Sequence, residues 1–151
     1  MKIYIASDHR GVSEKEEIIN YLQDNKIDIE DIGLANTEFD DYPDFAFKLG
    51  NLVSKNPQNL GILICGNGIG MSIAANKVKG IRAIRAIDED DAYNGKIHNS
   101  ANVLCLGSNL EKDLVKKIVN TFINTSNPFE ERHIKRVNKI IKYENGEYNE
   151  L

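Results

Sequence analysis

Cys65 is the residue around which chemistry could be built. It ends the apolar run Leu60-Gly61-Ile62-Leu63-Ile64 and is followed by Gly66-Asn67-Gly68-Ile69-Gly70. An unbroken apolar run fits a central parallel strand covered on both faces. The glycines then permit a tight turn that exposes backbone N–H groups. Met71 to Lys77 reads as the following helix, so these amides fall at a helix N-terminus, a setting that favours anions. A thiol there feels the same field, which can lower its pKa from about 8.5 by a unit or more. The resulting thiolate can serve as a nucleophile or a general base. Cys105, inside Val103-Leu104-Cys105-Leu106, is the contrasting case of a cysteine that packs inertly.

Other polar residues gather at the ends of predicted elements. Asp8-His9 closes the first strand, and His98-Asn99 closes a helix. Arg132 and Arg136 lie four residues apart on one face of the last helix, a spacing suited to gripping a dianion. Asp88 to Asp91 reads as a helix cap with favourable dipole charges, with no chemistry assigned. Tyr42, ahead of Pro43, is either a substrate contact or a loop anchor. No histidine stands at zinc-ligand spacing from a cysteine or another histidine. The loop is also not a dinucleotide fingerprint: G-x-G-x-G follows the third strand, where G-x-G-x-x-G after the first is needed. It lacks the Gly-Lys-Ser/Thr of a P-loop, and Asn67 stands where a nucleophile elbow needs serine.

The elements that must position these residues alternate along the chain. Strands are predicted at 2–7, 27–32, 59–64, 80–87 and 102–106. Helices are predicted at 13–25, from Pro43 to 55, after Gly70, from Asp88 to His98, at 110–124 and from Pro128 to 143. Ser13 with Glu16 has the form of a capping box. The alternation implies a single-domain α/β three-layer sandwich over 1–151, Rossmann-like, with a five-stranded parallel sheet and helices on both faces. The common order 2-1-3-4-5 puts a ligand crevice between strands one and three, where Asp8-His9 and Cys65-Gly66 end.

Composition narrows the class. With 151 residues the chain can bury a real core, and 41% hydrophobic with 28% charged residues is ordinary for a globular protein. A net charge of −4 argues against a nucleic-acid surface. No apolar run approaches the ~20 residues of a membrane span, and the first residues lack a signal-peptide pattern. Two cysteines after strand-like runs read as free thiols in a reducing cytoplasm.

Taken together, these stretches resemble the ribose-5-phosphate isomerase B family, which includes galactose-6-phosphate isomerase subunits. The resemblance rests on Ser7-Asp8-His9-Arg10-Gly11, Asp41-Tyr42-Pro43-Asp44, Leu63 to Gly70, Ser72 to Lys77, Gly80-Ile81-Arg82, His98 to Leu104, and Arg132-His133 with Arg136-Val137. It implies interconversion of ribose 5-phosphate and ribulose 5-phosphate, without metal or cofactor, in a cytoplasmic homodimer or dimer of dimers. The last helix, about 129–143, would lie at the dimer interface. On that resemblance Cys65 moves the proton between C1 and C2, and the amides of Gly66, Asn67, Gly68, Ile69 and Gly70 hold the enediolate oxygen. His98 with Asp8 opens the sugar ring, His9, Arg132 and Arg136 take the phosphate, and Asn99 and Tyr42 contact the sugar. Two departures stand out. Asn67 replaces a usual threonine, and Asn109 replaces an arginine often found there, with Lys112 the nearby candidate to compensate. The second departure leaves open a six-carbon sugar phosphate as substrate. A non-catalytic sugar-phosphate-binding dimer is the remaining alternative.

Overall fold

The computed structural model describes residues 1–150. In chain order the elements are β1 (Ile3–Ser7), α1 (Val12–Asp24), β2 (Glu30–Asp31), α2 (Tyr42–Val53), β3 (Leu60–Cys65) and α3 (Ile69–Ala75). They continue with β4 (Ala83–Arg85), α4 (Glu89–Asn99), β5 (Val103–Gly107), α5 (Lys112–Asn124) and α6 (Glu131–Glu144). The strands form one parallel sheet in the order β2-β1-β3-β5-β4.

Strand alternation divides the core in two. Ile3, Ile5, Ile62, Ile64, Leu104 and Leu106 pack under α1, α4 and α5, with Ile18, Leu22, Ile118 and Phe122. Tyr4, Ala6, Leu63, Cys65, Val103 and Cys105 face α2 and α3, with Phe45, Leu49, Met71 and Ala75. A three-layer α/β sandwich follows, as the alternating elements imply.

The strand order differs from the expected 2-1-3-4-5. All five residues of β5 are buried, whereas β4 is three residues long and partly exposed. An inner position needs cover on both faces, so β5 takes it and β4 becomes the edge. Both outer strands are shorter than predicted, at two and three residues. The expected capping box at Ser13 is not formed: α1 begins one residue earlier, with Gly11 as N-cap and no side-chain cap bond. The Asp88 cap is present, its Oδ1 accepting the Asp91 N–H at 2.8 Å. No helix among the described residues is long and apolar enough to cross a membrane.

Candidate active site

The crevice predicted between β1 and β3 is where the strand ends bring Asp8 and Cys65 together. Ser7 pairs with Ile64 in register, and the Asp8 N–H donates to the Ile64 carbonyl at 3.2 Å. By alternation Asp8 and Cys65 therefore sit side by side on the α2/α3 face. Asp8 is nearly buried, and its carboxyl is pushed above the usual range by desolvation, against the Arg10 N–H that it accepts at 2.9 Å.

Cys65 ends β3 at 5% exposure, and its Sγ accepts the Gly68 N–H at 3.2 Å. Gly68 reaches that position with φ of +78°, a conformation that side chains rarely adopt. The Ile69 N–H is bound to Asn67 Oδ1 at 3.0 Å, and the Asn67 carbonyl accepts Arg85 Nε at 2.7 Å. Among the described residues, the amides of Gly66, Asn67 and Gly70 donate to no protein atom. The turn thus holds a sulfur and several open N–H groups together. Cys105 faces the same core two residues along the neighbouring strand, but it is sealed, and burial drives its thiol pKa far up.

Two loops close over this end. Tyr42 opens α2 with Pro43 behind it, and its ring lies against Gly70 so closely that a Cβ there would meet it at 2.7 Å. Arg10 lies across Gly66. His9 donates its backbone N–H to Asp40 Oδ1 at 3.0 Å and meets the same oxygen through Nδ1 at 2.7 Å. That hydrogen bond raises the His9 pKa. No local pattern in the sequence points to Asp40, because its partner lies 31 residues away. Asn109 reaches back over Gly107. Lys112 is engaged with Glu17 across α1 and α5.

The remaining predicted residues sit elsewhere. α4 leaves the C-terminal end of β4 and returns to the start of β5, so its last turn lies at the opposite end of the sheet from Cys65. Lys96, Ser100 and Asn102 there share a cavity with Met1 and Leu60, where β1 and β3 begin. The length of β3 alone separates the two ends by about 16 Å. His98 stacks on His133 with ring centroids 4.3 Å apart, joining α4 to α6. Arg132 Nε donates to Glu130 at 2.8 Å, while Arg136 and Asn99 are exposed. His133 is buried with Nε2 unpartnered, and desolvation first, then His98 and Arg132, lower its pKa. One chain therefore brings together Cys65, Asp8, His9, Tyr42 and the glycine turn. It holds His98, Asn99, Arg132 and Arg136 apart from them. Among the described residues no group of three His, Cys, Asp or Glu side chains is arranged to hold a metal ion.

Fold and site define a doubly wound α/β protein with a thiol and a carboxylate beside an anion-favouring turn, at the crevice where such folds bind small ligands. The chain belongs to the ribose/galactose isomerase family, whose model matches residues 3–140. It is 46% identical over 147 residues to the probable ribose-5-phosphate isomerase B of Mycoplasma pneumoniae, with 94% of each chain covered. The crystal structure of ribose-5-phosphate isomerase B from Mycoplasma genitalium with bound ribulose-5-phosphate superposes with a TM-score of 0.90 at 43% identity, covering 95% of this chain and 96% of that one. The type B ribose 5-phosphate isomerase of Trypanosoma cruzi gives 0.90 at 36% identity, covering 97% and 99%.

Proposed function

We propose that the protein interconverts ribose 5-phosphate and ribulose 5-phosphate through an enediolate, with Cys65 as the base. The observation that carries the reading is the Cys65 sulfur at the strand end, holding the Gly68 N–H amid unpaired amides. After ring opening, the Cys65 thiolate takes the proton from C2 of the aldose. The electron pair moves into the C1–C2 bond, and the carbonyl oxygen gains negative charge. Free amides of the turn and the Asn67 carboxamide would receive that charge, one such donor typically contributing ~3 kcal/mol. The thiol returns a proton to C1 while the O2 proton moves to O1, leaving the ketose. Ring opening needs a second acid/base pair, the role given to His98 with Asp8. His9, Arg132 and Arg136 would clamp the phosphate, and Tyr42 and Asn99 would contact the sugar.

The separation of the two groups supports a site assembled from two copies. His98, Asn99 and the two arginines at the lower end of one chain would complete the crevice of another. In α6 the apolar residues Ile134, Ile140, Ile141 and Tyr143 are exposed, as a dimer interface would require. We place this homodimer in the cytoplasm.

The test is a comparison of kcat/KM for ribose 5-phosphate against allose and galactose 6-phosphates, with chelator present. A preference for the five-carbon substrate is expected. Preference for a six-carbon substrate would assign the Asn109 side of the crevice to longer sugars, and binding without turnover would defeat the enzymatic reading.

A further inference from the structure

Asp40 is the most heavily hydrogen-bonded carboxylate of the crevice. Its Oδ1 accepts from the His9 backbone N–H at 3.0 Å and meets Nδ1 at 2.7 Å. Its Oδ2 accepts Asn36 Nδ2 at 3.0 Å and the Thr37 N–H at 3.2 Å. Asn36 Nδ2 also donates to the Ser7 carbonyl at 2.7 Å, which ties this loop to the end of β1. The Asp40 side chain is 8% exposed and that of His9 38%. The carboxylate is thus sealed in place while the imidazole keeps an open edge.

We propose that Asp40 is a positioning residue that fixes His9 as a cation and presents Nε2 to the phosphate of the substrate. This rests on the isomerase reading above. A carboxylate at Nδ1 fixes a proton on that nitrogen. A neutral His9 would then turn the Nε2 lone pair toward the phosphate and repel it. His9 can donate to the phosphate only as imidazolium, and the ionised carboxylate behind it keeps that charge. Burial alone would raise the Asp40 pKa, but the bonds from Asn36, His9 and Thr37 outweigh it and hold Asp40 below the ordinary range. The charged groups facing His9 are Asp40 from the loop before α2, with Asp8 and Arg10 from its own loop. The two carboxylates favour the imidazolium, and Arg10 opposes it. Arg132 and Arg136, brought by a second copy, would oppose the imidazolium as Arg10 does.

Three measurements test the inference. NMR titration of the His9 ring in the wild type should give a pKa above the ordinary value of about 6.5. In Asp40→Asn it should fall to that value or below. Inorganic phosphate, used as the anion probe, should shift the His9 signals in the wild type and do so less in the variant near pH 7.5. In the isomerase assay at that pH, Asp40→Asn should raise KM about tenfold with kcat within about twofold. The rise should vanish in a His9→Asn background, because a merely structural loss would persist there. A wild-type His9 that titrates at or below the ordinary value overturns the inference even if the variant does not fold. So does a KM loss in Asp40→Asn that is additive with His9→Asn. The titrations need no turnover. If His9 responds to Asp40 and phosphate while no sugar phosphate is isomerised, the functional reading falls and the pair stands. The opposite pattern leaves the isomerase intact and removes the pair.

Discussion

The two ends of the sheet are built to different standards of completeness. At the C-terminal end, most side chains find partners within the chain: Cys65 holds the Gly68 N–H, Asp40 holds Asn36 and Thr37, Asp8 holds Arg10, and Arg85 holds the Asn67 carbonyl, while the turn amides and the buried Ser7 Oγ stay unpaired. At the N-terminal end, His133 is buried with Nε2 unpartnered, Arg136 is exposed, and α6 shows apolar side chains to solvent. The contrast teaches which residues one chain orders around Cys65 and which it leaves at the far end of the sheet, the separation on which the proposed two-copy site rests.

The largest expected effect sharpens a smaller contrast, between the two thiols of the upper end. Cys65→Ser should lower kcat by about 10³-fold, within the usual range for a positioned general base. Cys105→Ser should leave kcat within about twofold and instead cost ~1–3 kcal/mol of stability, because a hydroxyl enters a sealed apolar site. Equal losses of kcat in both variants would erase the distinction.

At the lower end, Arg132→Ala and Arg136→Ala should each raise KM about tenfold or more with little change in melting temperature, since both side chains lie on the surface. A fall in stability without a change in KM would make them structural.

Gly70→Ala tests how tightly the upper end is packed. The new methyl meets the Tyr42 ring, so about 1–3 kcal/mol of stability should be lost and KM should rise as Tyr42 shifts. Unchanged melting would show that the ring moves aside freely.

The smallest effects are opposite in sign at the two ends. His9 is raised in the folded chain by its bond to Asp40, so its contribution is complete below about 6.5 and is lost as the pH rises through the raised value. His133 is lowered by burial, so its contribution is complete above about 6.5 and is lost as the pH falls through the lowered value. Melting temperature against pH for the wild type, His9→Gln and His133→Gln should show the alkaline slope reduced in the first variant and the acid slope in the second. Parallel curves for all three would contradict both assignments.

The upper end was largely legible in the sequence, for reasons that are local. A strand, a glycine turn and a helix follow one another between Leu60 and Ala75, so Cys65 and its amides could be placed from spacing alone. The Asp88 cap is a local signal too. What escaped depends on distance. The β4/β5 exchange turns on which strand is covered on both faces, which the strand-like pattern at 80–87, broken by Arg82 and Arg85, does not by itself reveal. The Asp40 partnership with His9 joins two loops that only the β1–β2 pairing brings close. The capping box at Ser13 was a correct local pattern overridden by a helix that starts at Val12. That His98 lies far from Cys65 follows from the direction of α4, legible only once the parallel topology is fixed, and the arginines of α6 go with it through the His98–His133 stack.

Co-expression of Cys65→Ala with His98→Ala, each inactive alone, tests the split between the two ends most directly. If the upper half of one copy works with the lower half of another, mixed dimers hold one intact site of two, and the preparation should regain about a quarter of wild-type activity. A mixture as inactive as either parent, with mixed dimers shown to be present, would contradict the account.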